Sequence, residues 1–307
     1  QEKSPNLHCP LRIVLYLCMH KIITKYMRNI IDAICEIIIH PRHNLQEYSA
    51  GSNRVNNAGK ALEEYIQDVF AGSVATDNEE ERNQLRSTTF SYLGNQNNPP
   101  DSMLRNGDAI EVKKIESDDS SLALNSSYPK AKLYANSPMI SECCRLCEPW
   151  SEKEMIYAVG VVKKSILSSL ALVYGENYCA DKLVYERIKN TLKTGVESIP
   201  NVEFAETKEL GRVNRVDPLG ITYLRVRGMW GIENPFKVFD YLYKRDNAYK
   251  FNLMVIMNKT KYASFNNTTR LTELQQTHPN LSITEVNIKS PNNPALLVPA
   301  ILITYHA

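Results

Sequence analysis

Residues 97–114 read N-N-P-P-D-S-M-L-R-N-G-D-A-I-E-V-K-K, and this stretch decides the fold prediction. Asn-Gly, at positions 106 and 107, is a strong signal for a tight turn between two antiparallel strands. Asp101 follows a proline before that turn, and Glu111 and Lys113 flank a valine after it. The stretch therefore predicts a β-hairpin, at roughly residues 101–115, that carries two carboxylates and an amine.

Such a hairpin is suited to holding a divalent metal ion. Hard cations such as Mg²⁺ take oxygen ligands, usually one or two carboxylates with phosphate oxygens and waters. We expect Asp101, Glu111 and the backbone carbonyl of Val112 to hold Mg²⁺, which would polarise a phosphodiester and make a water molecule more acidic. Lys113 would orient that water and neutralise charge on the phosphoryl oxygens. The plainer alternative is a solvated Glu–Lys pair on an exposed strand, which contributes little.

The length of the loop decides whether Asp101 joins the other two side chains. Side chains alternate along a strand, so Glu111 and Lys113 share a face. A two-residue loop would place Asp101 opposite Val112, with its side chain on the other face. A loop with an odd number of residues, such as 106–108 with a glycine-type bulge, would pair Asp101 with Lys113 and align all three. The catalytic interpretation therefore predicts a three-residue loop or an equivalent bulge.

Two other acidic residues compete for a place at this site. Asp108 is the rival first carboxylate, but it lies at the turn and at an odd offset from Glu111, so we expect it to point elsewhere. A helix is predicted over residues 57–70, and Glu63 lies at the edge of its apolar stripe by helix geometry. Glu63 therefore lies at a boundary position from which a helix residue can reach the site. An ordinary glutamate at the boundary of a helix stripe is the alternative.

Composition limits the class of protein. The chain has 307 residues and is 43% hydrophobic, which is enough for one large α/β domain or two small ones. Its net charge is only +2, so any contact with nucleic acid must come from a local basic surface. Seven irregularly spaced cysteines suit a reducing compartment. The apolar run at residues 11–19 is too short to span a membrane, so we expect a cytoplasmic protein without membrane association.

The pattern along the chain predicts a mixed sheet flanked by helices, which is an α/β fold. Helices are expected at 27–39, 57–70 and 181–199, with a solvated acidic stretch at 77–82 between the second helix and the hairpin. Strands are expected at 155–162, 170–174, 221–226, 252–257, 283–288 and 297–304. We expect residues 1–26 to be an N-terminal extension of unknown role, and residues 27–307 to form a single domain.

A group of cysteines leaves a zinc site open. Cys143, Cys144 and Cys147 have a spacing that could supply two zinc ligands, and Cys179 lies downstream. A structural zinc site needs four ligands, and neither a second Cys-x-x-Cys nor a nearby pair of histidines is present. Buried free thiols are the alternative.

Several long strings resemble one family of enzymes. They are N-P-P-D…N-G-D-A-I-E-V-K-K-I-E-S, the following L-A-L-N-S-S-Y-P-K-A-K-L, and K-E-L-G-R-V-N-R-V-D-P-L-G-I-T-Y-L-R-V-R-G-M-W-G-I-E-N-P at residues 208–235. Together they look like type II restriction endonucleases of the NgoPII type. The likeness begins near residue 27 and runs through most of the chain.

This resemblance implies a PD-(D/E)xK nuclease core, Mg²⁺-dependent cleavage of double-stranded DNA and a GGCC target. It also implies a homodimer, because a palindromic site is read by a protein with two-fold symmetry. Asp101, Glu111 and Lys113 match the PD-(D/E)xK positions residue by residue. Many such nucleases also carry a glutamate on the helix before the hairpin, so the resemblance makes Glu63 the candidate fourth acidic residue, for a second metal ion.

Two further segments offer contacts to DNA. The segment 124–133 holds Asn125, Ser126, Ser127, Lys130 and Lys132, residue types that grip phosphates and reach base edges. Arg225 and Arg227 share a face of a predicted strand, and arginine pairs with guanine through two hydrogen bonds, which suits a target made of G·C pairs. Solvated lysines in a polar loop, and an ion pair within the fold, are the respective alternatives.

The sequence thus predicts a type II restriction endonuclease and leaves two alternatives open. One is a repair or structure-selective nuclease on the same PD-(D/E)xK core. The other is a DNA-binding protein in which the hairpin motif is structural, and which binds DNA without cutting it.

Overall fold

A large mixed β-sheet flanked by helices forms the protein, as the sequence predicted. The computed structural model describes residues 27–49, 57–95, 98–207 and 209–307, and the predicted extension at 1–26 lies outside these residues. Among the described residues the helices are α1 (Ile30–Ile39), α2 (Asn57–Ala71), α3 (Glu79–Thr89), α4 (Glu142–Leu146), α5 (Gly175–Tyr178), α6 (Lys182–Glu197), α7 (Pro235–Val238), α8 (Lys259–Ser264) and α9 (Thr268–Thr277).

Fourteen strands are present in these described ranges. They are β1 (Phe90–Asn95), β2 (Asn98–Leu104), β3 (Ala109–Ile115), β4 (Leu122–Asn125), β5 (Lys132–Tyr134), β6 (Glu152–Lys163), β7 (Ile166–Tyr174), β8 (Glu203–Phe204), β9 (Gly211–Asn214), β10 (Leu224–Val226), β11 (Trp230–Ile232), β12 (Asn252–Asn258), β13 (Leu281–Lys289) and β14 (Leu297–His306).

The main sheet has the strand order β1-β2-β3-β6-β7-β12-β14-β13, and β5 pairs with one end of β6. The neighbours β3 and β6 are parallel, as are β7 and β12, and the other pairs are antiparallel. Strands β8 to β10 form a small separate sheet, and β4 pairs with β11. The central strands are apolar along most of their length because both faces of the sheet are covered.

Helices α1 and α2 cover one face of the sheet. Asn29 caps α1: its side chain accepts a hydrogen bond from the N–H of Ile31, and Asp32 accepts one from the N–H of Asn29. The helix ends at His40, directly before a proline. The apolar stripe predicted on α2 is fully buried, and it consists of Leu62, Tyr65, Ile66, Val69 and Phe70.

The two faces of β3 belong to different apolar clusters. Ile110 is buried in the cluster under α2, whereas Ala109 and Ile115 are buried in the cluster on the opposite face. Because side chains alternate along a strand, Glu111 and Lys113 point to this second face. The segment from β4 to β5 packs there, since Leu124 and Leu133 belong to the same cluster as Ala109.

The hairpin loop has three residues, so the predicted parity is correct, but the predicted register is wrong by one residue in each strand. Ser102 pairs with Ile110 and Met103 with Ala109. The N–H of Leu104 donates to the carbonyl of Asp108 at 2.9 Å, which leaves 105–107 as the loop instead of 106–108. Continuing this register places Asp101 across from Glu111 and not across from Lys113. Both registers put the three side chains on one face, because shifting both strands preserves the alternation.

The acidic stretch at 77–82 is mostly exposed, as predicted, but the sequence did not predict the helix α3 that begins within it. Asn78 caps this helix through the N–H groups of Glu80 and Glu81. Of the strand expected at 221–226, only β10 is formed, so this prediction was wrong for residues 221–223.

Within the described ranges, no helix combines the length and the apolar composition that crossing a membrane requires.

Candidate active site

Asp101, Glu111 and Lys113 meet on one face of the hairpin. The amine of Lys113 lies 2.6 Å from Oε1 of Glu111. The carboxylate of Asp101 accepts a hydrogen bond of 2.6 Å from the N–H of Val112, which ties β2 to β3 at the level of Glu111. The structure thus brings together the three side chains that strand parity selected.

Burial and crowding of like charges perturb these groups. Burial, followed by the charge of Glu111, raises the pKa of Asp101 to about 8, although Lys113 and the N–H of Val112 oppose the shift. Burial alone would lower the pKa of Lys113, but Glu111 and Asp101 outweigh it, so the pKa is raised. The site therefore holds more negative charge than its one lysine can balance.

Glu111 has an oxygen that accepts no hydrogen bond. Its Oε1 pairs with Lys113, while its Oε2 is buried and has no hydrogen-bonding partner in the part of the chain that the structure describes. A buried carboxylate oxygen without a partner is costly unless a cation or a donor satisfies it. This oxygen, together with the excess negative charge, fits a divalent cation at Asp101 and Glu111.

Glu63 lies near this site but is not grouped with Asp101 and Glu111 as a third metal ligand. It is on α2, and its pKa is raised by burial, then by Glu64, with Lys113 lowering it and Glu111 raising it. Glu63 also accepts a long hydrogen bond, 3.5 Å, from Gln67. Across the described ranges, no three His, Cys, Asp or Glu side chains are grouped so that they could hold a metal ion. The role of Glu63 as an additional acidic residue of the site stays a prediction, as does the metal site formed by Asp101, Glu111 and the carbonyl of Val112.

The rival carboxylate, Asp108, is directed elsewhere, as predicted. It is buried and accepts hydrogen bonds from the hydroxyl of Tyr174 at 2.7 Å and from the amine of Lys261 at 2.9 Å. Lys261 also pairs with Glu154. These contacts link the start of β3 to the end of β7 and to α8, so Asp108 has a structural role.

The segment 124–133 crosses the same face of the sheet as Glu111. Asn125 has a left-handed φ of 51° at the end of β4, and both it and Ser126 are exposed. The amine of Lys130 donates to the hydroxyl of Ser127. Lys132 faces another way and pairs with Glu152 at 3.1 Å and with Glu176 at 3.3 Å. Lys132 is therefore engaged within the fold, and its predicted contact with DNA would require it to leave two carboxylates.

Arg225 and Arg227 lie together at the end of β10, as predicted from their shared strand face. Both pair with Glu209: Nη2 of Arg225 and Nε of Arg227 each lie 2.7 Å from its Oε1. The two side chains remain about half exposed, at 48% and 60%. Base reading by either arginine would require it to exchange Glu209 for a guanine edge.

The cysteines do not gather into a zinc site in the described residues. Cys144 is buried, and its thiol contacts the sulfur of Met103 at 3.5 Å. The thiol of Cys147 donates to the carbonyl of Cys144, and Cys179 is buried near Tyr157. All three are free thiols, as is exposed Cys143. For Cys144 and Cys179 this arrangement corresponds to the alternative of buried thiols.

Tyr157 is a site residue that sequence reasoning missed. It pairs with Glu111 in the parallel register of β3 and β6, and its hydroxyl contacts both backbone groups of Lys130. Locally it is one aromatic residue in an apolar strand, so it carries no signal in the sequence. Only the pairing of β6 with β3 brings it to the site.

A hairpin with paired carboxylates and a lysine, on a mixed sheet flanked by helices, defines a nuclease-like α/β protein. The family profile described as NgoPII restriction endonuclease matches residues 28–289. The type II restriction enzyme NgoPII of Neisseria gonorrhoeae is 56% identical to this chain over 279 residues, which cover 91% of this chain and 99% of that enzyme. No solved structure matches the chain. The chain belongs to the NgoPII restriction endonuclease family, and it is therefore a type II restriction enzyme, a site-specific endonuclease.

Proposed function

We propose that the protein hydrolyses phosphodiesters of double-stranded DNA at a short palindrome, GGCC, with Mg²⁺ as its cofactor and with a PD-(D/E)xK active site. The observation that carries this proposal is the group formed by Asp101, Glu111 and Lys113, in which one buried oxygen of Glu111 lacks a partner. The GGCC target is proposed from the resemblance to the NgoPII type. The use of a divalent cation is proposed from the paired carboxylates of the site itself. We place the enzyme in the cytoplasm, where its substrate lies.

Asp101, Glu111 and the carbonyl of Val112 would hold the Mg²⁺ ion. When bound, the cation polarises the phosphate and makes a water molecule more acidic. Lys113, held by Glu111 at 2.6 Å, orients the attacking water and balances negative charge on the phosphoryl oxygens. Val112 donates its N–H to Asp101, which fixes the carboxylate relative to β3 before substrate arrives.

Contacts to DNA are proposed on both sides of this centre. Asn125, Ser126, Ser127 and Lys130 lie on the segment that crosses the site face, where phosphates next to the cut would pass. Lys132 belongs to the same segment. Arg225 and Arg227 are the proposed guanine-reading pair, with Glu209 holding them in place until a base edge replaces it.

We also infer a homodimer, since a palindrome presents the same half-site to two copies of one chain. Helix α6 supports this inference because it exposes an apolar stripe, formed by Val184, Ile188 and Leu192. In the same stripe, a Cβ added to Gly195 would meet nothing within 4 Å, so a second helix could approach closely there. Helix α6 also contacts the site segment, because Tyr128 donates to Glu186 at 2.9 Å.

Digestion of unmethylated plasmid tests this function. With Mg²⁺ the protein should give discrete fragments whose sequenced ends lie within GGCC, and with Ca²⁺ it should bind without cutting. Replacing Glu111 with Gln, Asp101 with Asn or Lys113 with Met should lower the cleavage rate by about 10²–10³-fold or more, since each removes a group that acts on the transition state.

The matched control is Glu116→Gln, the same change on an exposed side chain just beyond β3. It should cut as fast as the wild type. Random nicking, cleavage of only nicked or branched DNA, or binding without cleavage in Mg²⁺ would each reject the proposed restriction activity.

A further inference from the structure

Lys130 is a mostly buried lysine with an unusual environment. Its amine donates to the hydroxyl of Ser127 and, at 3.5 Å, to the carbonyl of Tyr128. Among the residues that the structure describes, no carboxylate lies within ion-pairing distance of this amine. Buried lysines are rare unless they are paired, so an unpaired one next to a nuclease site calls for an anionic partner.

The backbone of Lys130 is fixed by a residue of the site itself. The hydroxyl of Tyr157 accepts a hydrogen bond of 2.7 Å from the N–H of Lys130 and donates one of 3.2 Å to its carbonyl. Tyr157 pairs with Glu111 across the parallel strands β3 and β6, so both side chains lie on one face. One buried tyrosine thereby sets the position of Lys130 relative to Glu111.

Close packing against α5 also keeps the segment in place. A Cβ added to Gly175, at the start of α5, would lie 2.5 Å from the carbonyl oxygen of Lys130 and 2.6 Å from that of Ala131. Glycine at this position thus allows α5 to press against the segment. Lys130 is thus held by both Tyr157 and α5, which gives the rigidity that a group acting on a transition state needs.

Electrostatic contacts link the amine to the catalytic group. Burial lowers the pKa of Lys130 to about 8, and the charge of Glu111 opposes this shift, while Lys113 and Lys189 reinforce it. Cys179, like Glu111, acts to raise the pKa of Lys130. Lys130 therefore shares one electrostatic environment with Glu111 and Lys113.

We propose that Lys130 is a second catalytic lysine, which contacts the scissile phosphate, and that Tyr157 is the residue that positions it. As the bond from water oxygen to phosphorus forms and the bond to the leaving oxygen breaks, negative charge grows on the phosphoryl oxygens. Lys130 keeps its protons and balances that charge. This inference rests on the proposed function and adds to it a group outside the hairpin motif.

Single-turnover cleavage of a duplex oligonucleotide carrying GGCC, with enzyme in excess and Mg²⁺, tests the role of Lys130. Lys130→Met should lower the cleavage rate of bound DNA by about 10²–10³-fold, the usual loss for one group that stabilises a transition state. Its DNA affinity, measured in Ca²⁺, should change by less than about threefold, because the contact strengthens in the transition state. Lys130→Arg should recover part of the rate.

Thermal unfolding separates a catalytic defect from a folding defect. Lys130→Met removes a mostly buried unpaired cation, so its unfolding temperature should equal or exceed that of the wild type. Lys189→Met removes a neighbouring positive charge on α6 and should leave the rate on bound DNA within about threefold. A Lys130→Met enzyme that binds DNA weakly but cuts bound DNA at the normal rate would overturn the proposal, as would one with normal binding and rate.

Tyr157→Phe tests the positioning role. The rate on bound DNA should fall by about 10-fold, and adding the same change to Lys130→Met should cause little further loss, since the two residues act as one unit. Independent, additive losses would reject the role of Tyr157. If the wild type cuts and Glu111→Gln does not, yet Lys130→Met cuts normally, this inference fails while the proposed function stands.

Discussion

Asp101 and Glu111 place two carboxylates where one lysine is available, and this imbalance is a testable property of the metal-free protein. An acid whose pKa is raised on folding binds its proton more tightly in the folded state. The stability it contributes is complete below its unfolded pKa, about 4, and is lost as pH rises through its folded pKa. For Asp101 the folded pKa is about 8, because of burial and then Glu111, so the loss falls between about pH 4 and pH 8.

Replacing Asp101 with Asn should remove this loss. In EDTA, the unfolding temperature of Asp101→Asn should exceed that of the wild type by a few degrees at pH 8, and the difference should shrink towards pH 5. Circular dichroism melts between pH 5 and pH 9 measure it. Glu116→Gln, at an exposed position, should melt in parallel with the wild type. Parallel curves for Asp101→Asn as well would show that Asp101 titrates normally.

At the scale of elements, the close approach of β1 to β2 sets the position of Asp101. A Cβ added to Gly94 on β1 would lie 2.5 Å from the carbonyl oxygen of Pro100 and 2.8 Å from that of Asp101. Both are backbone atoms, which cannot turn aside as a side chain can. The edge strand β1 therefore holds β2, and with it Asp101, at a distance that glycine alone permits.

Gly94→Ala should push β2 away and carry Asp101 with it. A displacement of about 1 Å at a catalytic group costs roughly 10²-fold in rate, and we expect a loss of this size in single-turnover cleavage. The same substitution at Gly59 on α2, where an added Cβ meets nothing within 4 Å, is the matched control. Gly59→Ala should cut normally and gain up to about 1 kcal/mol of stability. Equal cleavage by both variants would show that β1 does not position the site.

For the hairpin of β2 and β3, the sequence predicted which side chains share a face but did not predict the pairing register. Alternation along β3 is a local property, so it placed Glu111 and Lys113 on one face and required an odd loop for Asp101. The register depends on which loop residue takes the left-handed conformation, and here it is Asn106, with φ 54°, and not a residue at 107 or 108. The sequence thus predicted the loop length but not its position.

At the scale of the whole molecule, α6 offers the face on which two copies would meet. Leu192 lies in the exposed stripe, and Leu183, on the same helix, is 69% exposed but about 140° away from Ile188 by helix geometry. The two leucines therefore allow the same mutation to be made inside and outside the proposed interface.

Analytical ultracentrifugation should show the wild type at twice its chain mass of 35.0 kDa. Leu192→Glu should shift it to the monomer, because a charge buried between two helices without a partner costs several kcal/mol. Leu183→Glu should stay dimeric. A wild type that is monomeric, both free and on DNA, would reject the dimer, and a dimeric Leu192→Glu enzyme would place the interface elsewhere.

The sequence by itself determined the helices α1, α2 and α6, the buried central strands and the hairpin, because each of these follows from a periodicity within one short segment. It also separated Asp101 from Asp108, since an odd offset directs a side chain to the other face. Helix α3 was missed because a capped helix of polar residues has almost no apolar stripe, and its cap at Asn78 was its main signal.

Tertiary structure decided the rest. The pairing of β3 with β6 brings Tyr157 beside Glu111, and Tyr157 brings Lys130 to the site from outside the motif. In the small separate sheet, the pairing of β9 with β10 brings Arg225 and Arg227 to Glu209, which nothing in their own strand indicates. The contacts of Tyr157 join residues far apart in the chain, and their geometry is set by how β3, β6 and the segment 124–133 pack together. Local patterns contain no information about that distance, so only the folded chain could supply it.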